Sequence, residues 1–357
     1  MHPALTTPLL DLLGSKYPIV QTGMGWVAGP KLVSATSNAG AFGIIASATM
    51  TYDELVVAIA ETKKRTTAPF GVNMRADADD IMDRLKLLVA QGIPVASFAQ
   101  APKKDLIEYL HDHGIKVMPS IGAKRHAEKV MEWGVDAILV QGGEGGGHTG
   151  SVPTSLLLPE VVDVVGGRVP VVAAGGYFDG RGLVAALAYG ASGIAMGTRF
   201  LLTSDSSVPM EVKKQYLGTA VTGTVVTTKV DGAPHRVIRT KLVDQMDGAS
   251  PITAVPKAIA NAARFRKFTG LSWYQMAKEG LDMKKRMDMP WAEVIMAGNT
   301  PILTKATLVD GELDAGILPT GQVVGVIDDL PTAEVVTRII AEAETTLDRL
   351  AGRSPGS

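Results

Sequence analysis

Short apolar runs alternate with longer segments of helical period from Tyr17 to about Tyr216. The runs that read as buried strands are Pro18–Gln21, Ala41–Ser47, Phe70–Met74, Val95–Phe98, Lys116–Pro119, Asp136–Gln141, Val169–Ala174 and Gly193–Met196. The segments between and after them predict helices near Pro30–Asn38, Tyr52–Lys64, Ala78–Gln91, Lys103–His113, Ala123–Trp133, Ser155–Val165, Gly180–Ala188 and Val208–Tyr216. Thr51 followed by Glu54 has capping-box spacing, and Gly92 and Gly114 stand where helix C-termini favour glycine. This alternation predicts the α/β class: a parallel sheet closed into a (β/α)8 TIM barrel, with an open doubly wound sheet as the alternative. The working face of such a barrel lies at the C-terminal ends of its strands. Those ends carry Gln21 to Met24, Ser47, Asn73 to Arg75, Ser120, Gln141-Gly142, Gly175-Gly176 and Gly197-Thr198. Every strand except the fourth ends in polar residues or glycine.

After Tyr216 the rhythm changes. Thr224–Arg239 predicts a hairpin turning at Asp231-Gly232, and Ala254–Lys285 reads as a helical stretch rich in basic residues. Leu308–Gly321 is loop-rich, and Thr332–Leu350 has the pattern of an amphipathic helix. The expected division is a barrel over residues 1–216, a mainly helical unit over 217–320 covering the barrel mouth, and 321–357, whose helix returns to the barrel.

Composition narrows the function classes. With 357 residues, 46% hydrophobic and 20% charged, the chain suits one large barrel with an appendage. Lys+Arg at 35 against Asp+Glu at 36 gives no global electrostatic case for nucleic acid or an anionic membrane. The absence of cysteine excludes disulfides, thiolate metal sites and a cysteine nucleophile. The N-terminal stretch lacks a basic start before a long apolar core, and no apolar run is long enough to span a bilayer. A cytoplasmic location is therefore expected, with a homo-oligomer left open. No His/Asp/Glu cluster has metal-ligand spacing, so no required metal is expected.

The chemistry concentrates in Gly134–Gly150, GVDAILVQGGEGGGHTG. An apolar strand stops at Gln141, and the glycines that follow leave Glu144, His148 and Thr149 as the side chains of the loop. Glycine in such a run suits backbone that must come close to something flat or anionic. His148 projects from it, and an imidazole titrates near neutrality, which suits acid–base work; a structural loop histidine is the other reading. Gly145 to Gly150 formally matches G-x-G-x-x-G, but no helix opens at the third glycine and Pro153 follows, so it is not a Rossmann fingerprint. Two further strands end in glycine, at Gly175-Gly176 and Gly197-Thr198, in the loops where such barrels hold phosphate. Tight βα turns are the other use of those residues.

The blocks GMGWVAGPKLVSATSNAGAFGIIAS, PFGVNMR, ILVQGGEGGGHTG, VVAAGGYFDGRGL and AMGTRFLLT together resemble the nitronate monooxygenase (2-nitropropane dioxygenase) superfamily. VQTGMGWVAG, QGGEGGGHTG, FDGRGL and GTRFLLTSDS resemble its actinobacterial branch, which acts on CoA thioesters in steroid-ring breakdown. The resemblance implies an FMN-dependent barrel enzyme. It implies that Gly23, Met24, Asn73, Ser120, Gln141, Gly142 and Gly147 line the cofactor, that Gly175, Gly176, Gly197 and Thr198 hold its phosphate, and that His148 is the active-site base. The chain departs from the first nitronate class, carrying Gln141, Gly143, Gly145 and Thr149 where that class has Asp, Phe, Cys and Pro, and Ser120 where it has Lys. A glycine-lined pocket suits a bulkier substrate than a small nitroalkane. The function expected is oxidation or reduction of a carbon–carbon bond of a ring-containing acyl-CoA. Nitronate oxidation and flavin binding without turnover are the alternatives. Arg264, Arg266, Lys267, Lys278, Lys284, Lys285 and Arg286 are either a solvated helix face or a clamp for CoA phosphates, of which Arg264, Lys284, Lys285 and Arg286 are the candidates. Lys229, His235, Arg236 and Arg239 form a second candidate basic group.

Overall fold

A computed structural model describes residues 1–247, 301, 303–314 and 316–352. Its strands are β1 (Ile19–Gln21), β2 (Phe42–Ala46), β3 (Phe70–Met74), β4 (Val95–Phe98), β5 (Lys116–Ile121), β6 (Ile138–Gln141), β7 (Gly147–His148), β8 (Val171–Ala174), β9 (Gly193–Met196), β10 (Thr224–Thr227) and β11 (His235–Ile238). Eight of them close into a barrel in the order β1-β2-β3-β4-β5-β6-β8-β9, every neighbouring pair parallel. The predicted barrel is therefore the fold. The predicted helix Ala254–Lys285 and the basic residues Arg264, Arg266, Lys267, Lys278, Lys284, Lys285 and Arg286 lie outside the described residues.

Period-two alternation sorts the strand side chains into two cores. Val20, Phe42, Ile44, Val95, Met118, Leu139, Val172 and Ala195 fill the barrel interior. Their neighbours Ile19, Val72, Ala96, Val117, Ile138, Ala173 and Ile194 face the surrounding helices. Leu9 and Leu13 join the interior cluster from a helix the sequence reading passed over, Pro8–Leu13. Leu9 lies against the start of β9, where a Cβ on Gly193 would stand 2.6 Å from its Cδ2, so this helix closes the end opposite the working face.

Several predicted ends move by one to three residues, for local reasons. Sheet pairing in β6 begins at Ile138 and not at Asp136, because the Asp136 carboxylate accepts the Val117 amide at 2.8 Å and meets His111 at 2.8 Å. Thr51 and Glu54 do form the reciprocal capping box, and Gly92 and Gly114 do close their helices with φ of +59° and +74°.

The final helix, Val335–Leu350, buries Val336, Ile339, Ile340 and Ala343 and packs on the helix Gly180–Ala188. The two backbones nearly touch: a Cβ on Gly180 would stand 2.3 Å from the Ala343 amide nitrogen and 2.5 Å from the Ile339 carbonyl oxygen. Backbone cannot yield as a flexible side chain would. Gly180→Ala should lower stability to urea by about 1–3 kcal/mol while leaving secondary structure intact; an unchanged midpoint would show that the two helices separate freely.

β10 and β11 form the predicted antiparallel hairpin, with Thr227 opposite His235 and the turn at Asp231-Gly232. Its inner strand pairs with β7, setting His235 opposite His148 and Arg236 opposite Gly147. The hairpin is thereby sewn directly to the glycine-rich loop after β6.

Candidate active site

At the C-terminal rim, the residues that follow the interior apolar layers in register are Asn73 on β3, Ser97 on β4, Ser120 on β5 and Gln141 on β6. Ser97 supplies the fourth strand's polar end that the sequence reading missed, since it stands one residue before the last residue of β4. Its hydroxyl lies 3.3 Å from Asn73 Nδ2, and the Ser47 hydroxyl donates to the Asn73 carbonyl at 2.8 Å. Gly23 presses its backbone onto Asn73, where a Cβ would stand 2.5 Å from that of the asparagine. Met24 reaches across to β9, its Sδ 3.4 Å from where a Cβ on Gly197 would lie. The same loop after β1 holds Trp26 at φ +59°, a conformation that a bulky side chain adopts only under constraint.

The glycine loop is built by close approach. Gly146 passes so near the segment Thr320-Gly321 that a Cβ would stand 2.3 Å from the Thr320 carbonyl carbon. Gln322 N–H donates to the Glu144 carbonyl at 2.9 Å. The Arg236 guanidinium donates to the Gly143 carbonyl at 2.8 and 3.2 Å. Gln141 turns its amide onto its own loop, donating to the His148 carbonyl at 2.8 Å, so it shapes the loop that carries the histidine. The Glu144 carboxylate accepts from the Thr154 amide at 2.9 Å and hydroxyl at 2.6 Å, satisfying the start of the helix Thr154–Val165. Burial, with the Glu144 charge nearby, pushes the Tyr177 phenol well above its ordinary range, so it stays protonated.

Gly175 and Gly176 adopt φ of +97° and +84° at the end of β8, leaving a bare turn. The first amides of the helix after this turn are already capped by carboxylates. Asp179 accepts the Gly182 amide at 2.9 Å, and Glu342 accepts the Gly180 amide at 3.0 Å. The residues expected to hold a phosphate, Gly175, Gly176, Gly197 and Thr198, stand directly after β8 and β9. The Thr198 hydroxyl is already engaged, accepting from the Gly321 amide at 3.1 Å. Residues that would hold a flavin are thus bare backbone at the ends of β1, β6, β8 and β9 beside the amides and hydroxyls of Asn73, Ser97 and Ser120. That donor set fits a flat, polar-edged ring with an anionic tail.

His148 is exposed, and its Nε2 stands 2.7 Å from Asp231 Oδ2. Its ring packs at 4.6 Å, tilted 52°, against His235. His235 is buried, with neither ring nitrogen hydrogen-bonded; its Nδ1 lies 3.8 Å from Asp231 Oδ2. The ligand-type atoms of these three residues fall within 4.8 Å of one another, a clustering that linear spacing could not reveal across 83 residues. The shortest contact is nevertheless a hydrogen bond, since two ligands sharing a tetrahedral zinc would stand roughly 3.3 Å apart. Burial pushes the Asp231 carboxyl up, but the hydrogen bond to His148 and the nearness of both imidazoles outweigh it and hold the group well below the usual carboxylate range. From the sequence Asp231 reads as a turn residue and His235 as one of a basic group. That group is dispersed: His235 is buried, Arg236 is spent on the glycine loop, and Arg239 pairs with Asp244 at 2.8 Å.

Glycine turns and an exposed histidine thus share the working face of a closed parallel barrel. The chain belongs to the nitronate monooxygenase family, whose pattern matches residues 6–342, and like its family it is a flavin-dependent oxidoreductase. It is 57% identical over 96% of its length, and 97% of the relative's, to (3aS,4S,5R,7aS)-5-hydroxy-7a-methyl-1-oxo-octahydro-1H-indene-4-carboxyl-CoA dehydrogenase of Mycobacterium tuberculosis. The enzyme of the same name from Rhodococcus jostii is 55% identical over 97% of this chain and 98% of its own. A probable nitronate monooxygenase of Staphylococcus saprophyticus is 30% identical over 73% of this chain and 87% of its own. Among solved structures, FabK from Thermotoga maritima superposes with a TM-score of 0.78 at 32% identity, covering 97% of this chain and 99% of that one. A nitroalkane oxidase from Streptomyces ansochromogenes gives 0.76 at 26% identity, covering 96% of this chain and 99% of that one. Among the described residues no helix is long and apolar enough to cross a membrane.

Proposed function

We propose that this chain uses FMN to oxidise, or in reverse reduce, a carbon–carbon bond beside the thioester of a ring-containing acyl-CoA of the steroid-breakdown type. The observation that carries this reading is 57% identity, across nearly the whole of both chains, to a dehydrogenase whose name specifies such a thioester. Gly142, Gly145 and Gly146 pack against Thr154, Gln141 and Thr320, so they set the path of the loop and add no room for a bulky substrate.

When bound, the flavin supplies an acceptor or donor for an electron pair. The chain's own part is to orient the substrate and move a proton. The carbon next to a thioester carbonyl is the acidic one, and His148 takes the proton there in the oxidising direction or returns it in the reducing one. Asn73, Ser120 and the loop around Gly142 and Gly147 orient the cofactor. Gly175, Gly176, Gly197 and Thr198 hold its phosphate end. Residues 217–320 cover the mouth, and Arg264, Lys284, Lys285 and Arg286 take the CoA phosphates. The second reading, nitronate oxidation, draws on the 30% identical probable nitronate monooxygenase.

Anaerobic titration of the yellow holoenzyme separates the two. Bleaching of the flavin band by stoichiometric ring-bearing acyl-CoA, with no bleaching by alkyl nitronates, is expected. The opposite pattern would sink the acyl-CoA reading, and extraction of a flavin other than FMN would correct the cofactor.

A further inference from the structure

The hairpin β10–β11 brings Asp231 to the histidine of the glycine loop, and the sheet register sets that placement. β7 and β11 pair with His148 directly opposite His235, and the Thr149 amide donates to the Pro234 carbonyl at 3.1 Å. Asp231 then meets His148 Nε2 at 2.7 Å with a partly buried carboxylate. We propose that Asp231 is a positioning residue that fixes His148 in the tautomer carrying its proton on Nε2, so that Nδ1 is the nitrogen that accepts the substrate proton.

The chemistry follows from donors and acceptors. An ionised carboxylate only accepts, so the Nε2 facing it must carry the hydrogen. Neutral imidazole has one N–H, and Nδ1 is then left with a free lone pair. Nδ1 meets no hydrogen-bond partner among the described residues. When it takes a proton, the imidazolium gains the Asp231 charge as counter-ion. His235 completes the arrangement as a buried wall: its ring packs on that of His148 and its Nδ1 stays 3.8 Å from the shared carboxylate, beyond hydrogen-bond reach. The other charged groups near the loop are committed elsewhere, Arg236 to the Gly143 carbonyl and Glu144 to Thr154.

One contact makes the proposal sharply testable. The second carboxylate oxygen, Asp231 Oδ1, accepts the Ala233 amide at 3.2 Å. In Asp231→Asn the side-chain carbonyl keeps that backbone donor, which turns the amide nitrogen toward His148. The facing Nε2 must then become the acceptor, and the proton moves to Nδ1, removing the base without removing the histidine.

The proposal rests on His148 being the base of the proposed reaction, so the experiment reads the tautomer and the rate separately. Flavin-loaded wild type, Asp231→Asn and Asp231→Ala are labelled with ¹⁵N-histidine, the His148 signals being assigned by their loss in His148→Gln. Expected are Nε2–H in wild type, Nδ1–H in Asp231→Asn and a mixture in Asp231→Ala. The Asn variant should lose at least about 100-fold in kcat with KM changed by less than about threefold, the scale of a lost general base. An unchanged tautomer in Asp231→Asn overturns the proposal whatever the rate. A switched tautomer with full turnover upholds the orientation by Asp231 and instead removes His148 from the role of base.

Discussion

His148→Ala should purify with its flavin and lose about 10²- to 10⁴-fold in turnover, the span that a positioned general base contributes. Retention of the cofactor is expected because the imidazole makes no contact that builds the cofactor end of the site. It is exposed, its hydrogen bond runs to Asp231 on the hairpin, and the loop beneath it is held by the Gln141 and Arg236 side chains acting on backbone carbonyls. The measurement is flavin content by absorbance beside steady-state and single-turnover rates. A variant that turns over within about threefold of wild type would remove the histidine from the chemistry, and one that purifies colourless would make it a cofactor ligand instead.

The barrel was legible because its signal is local. Each strand is a short run whose alternate residues are apolar on both faces, and a parallel strand needs a crossover, so strand and helix must alternate. The glycine turns after β6, β8 and β9 were legible for a related reason: positive φ and contacts nearer than a Cβ allows leave a compositional mark, as at Gly146 and Gly175. The partners of the histidine left no such mark. Asp231 lies 83 residues from His148, in an Asp-Gly turn that would look the same at any hairpin tip. Only the register between β7 and β11 gives it a second meaning, and a two-residue strand of glycine and histidine has no pattern of its own. Gln141 shows the converse limit. The family resemblance implies a cofactor contact there, and nothing in the sequence signals that its amide also donates to carbonyls of the glycine loop.

Gly175→Val should weaken flavin binding by at least about tenfold while the barrel stays folded. Two penalties act together at this residue. Its φ of +97° lies where only glycine rests without strain, and a Cβ there would stand 3.0 Å from Thr154 Oγ1 and 3.1 Å from the Gly142 carbonyl oxygen. Neither neighbour can withdraw cheaply. Thr154 is bound at once to Glu144 and to the Gly175 carbonyl, and Gly142 donates its amide to Ala174 at 3.0 Å. Relief therefore comes from moving the bare turn itself, which is the surface proposed to face the cofactor phosphate. A shift that loses one or two charge-assisted hydrogen bonds costs about 1.5–3 kcal/mol each, or at least about tenfold in Kd. Gly176→Ala is the matched control: it shares the positive φ, at +84°, but its Cβ meets nothing closer than Glu144 Cβ at 3.8 Å. It should weaken binding far less than the valine at 175. Fluorescence titration of the deflavinated proteins compares the two, with circular dichroism as the check on folding. Equal, wild-type affinity in both would place the phosphate away from this turn and leave Gly197-Thr198 to hold it alone.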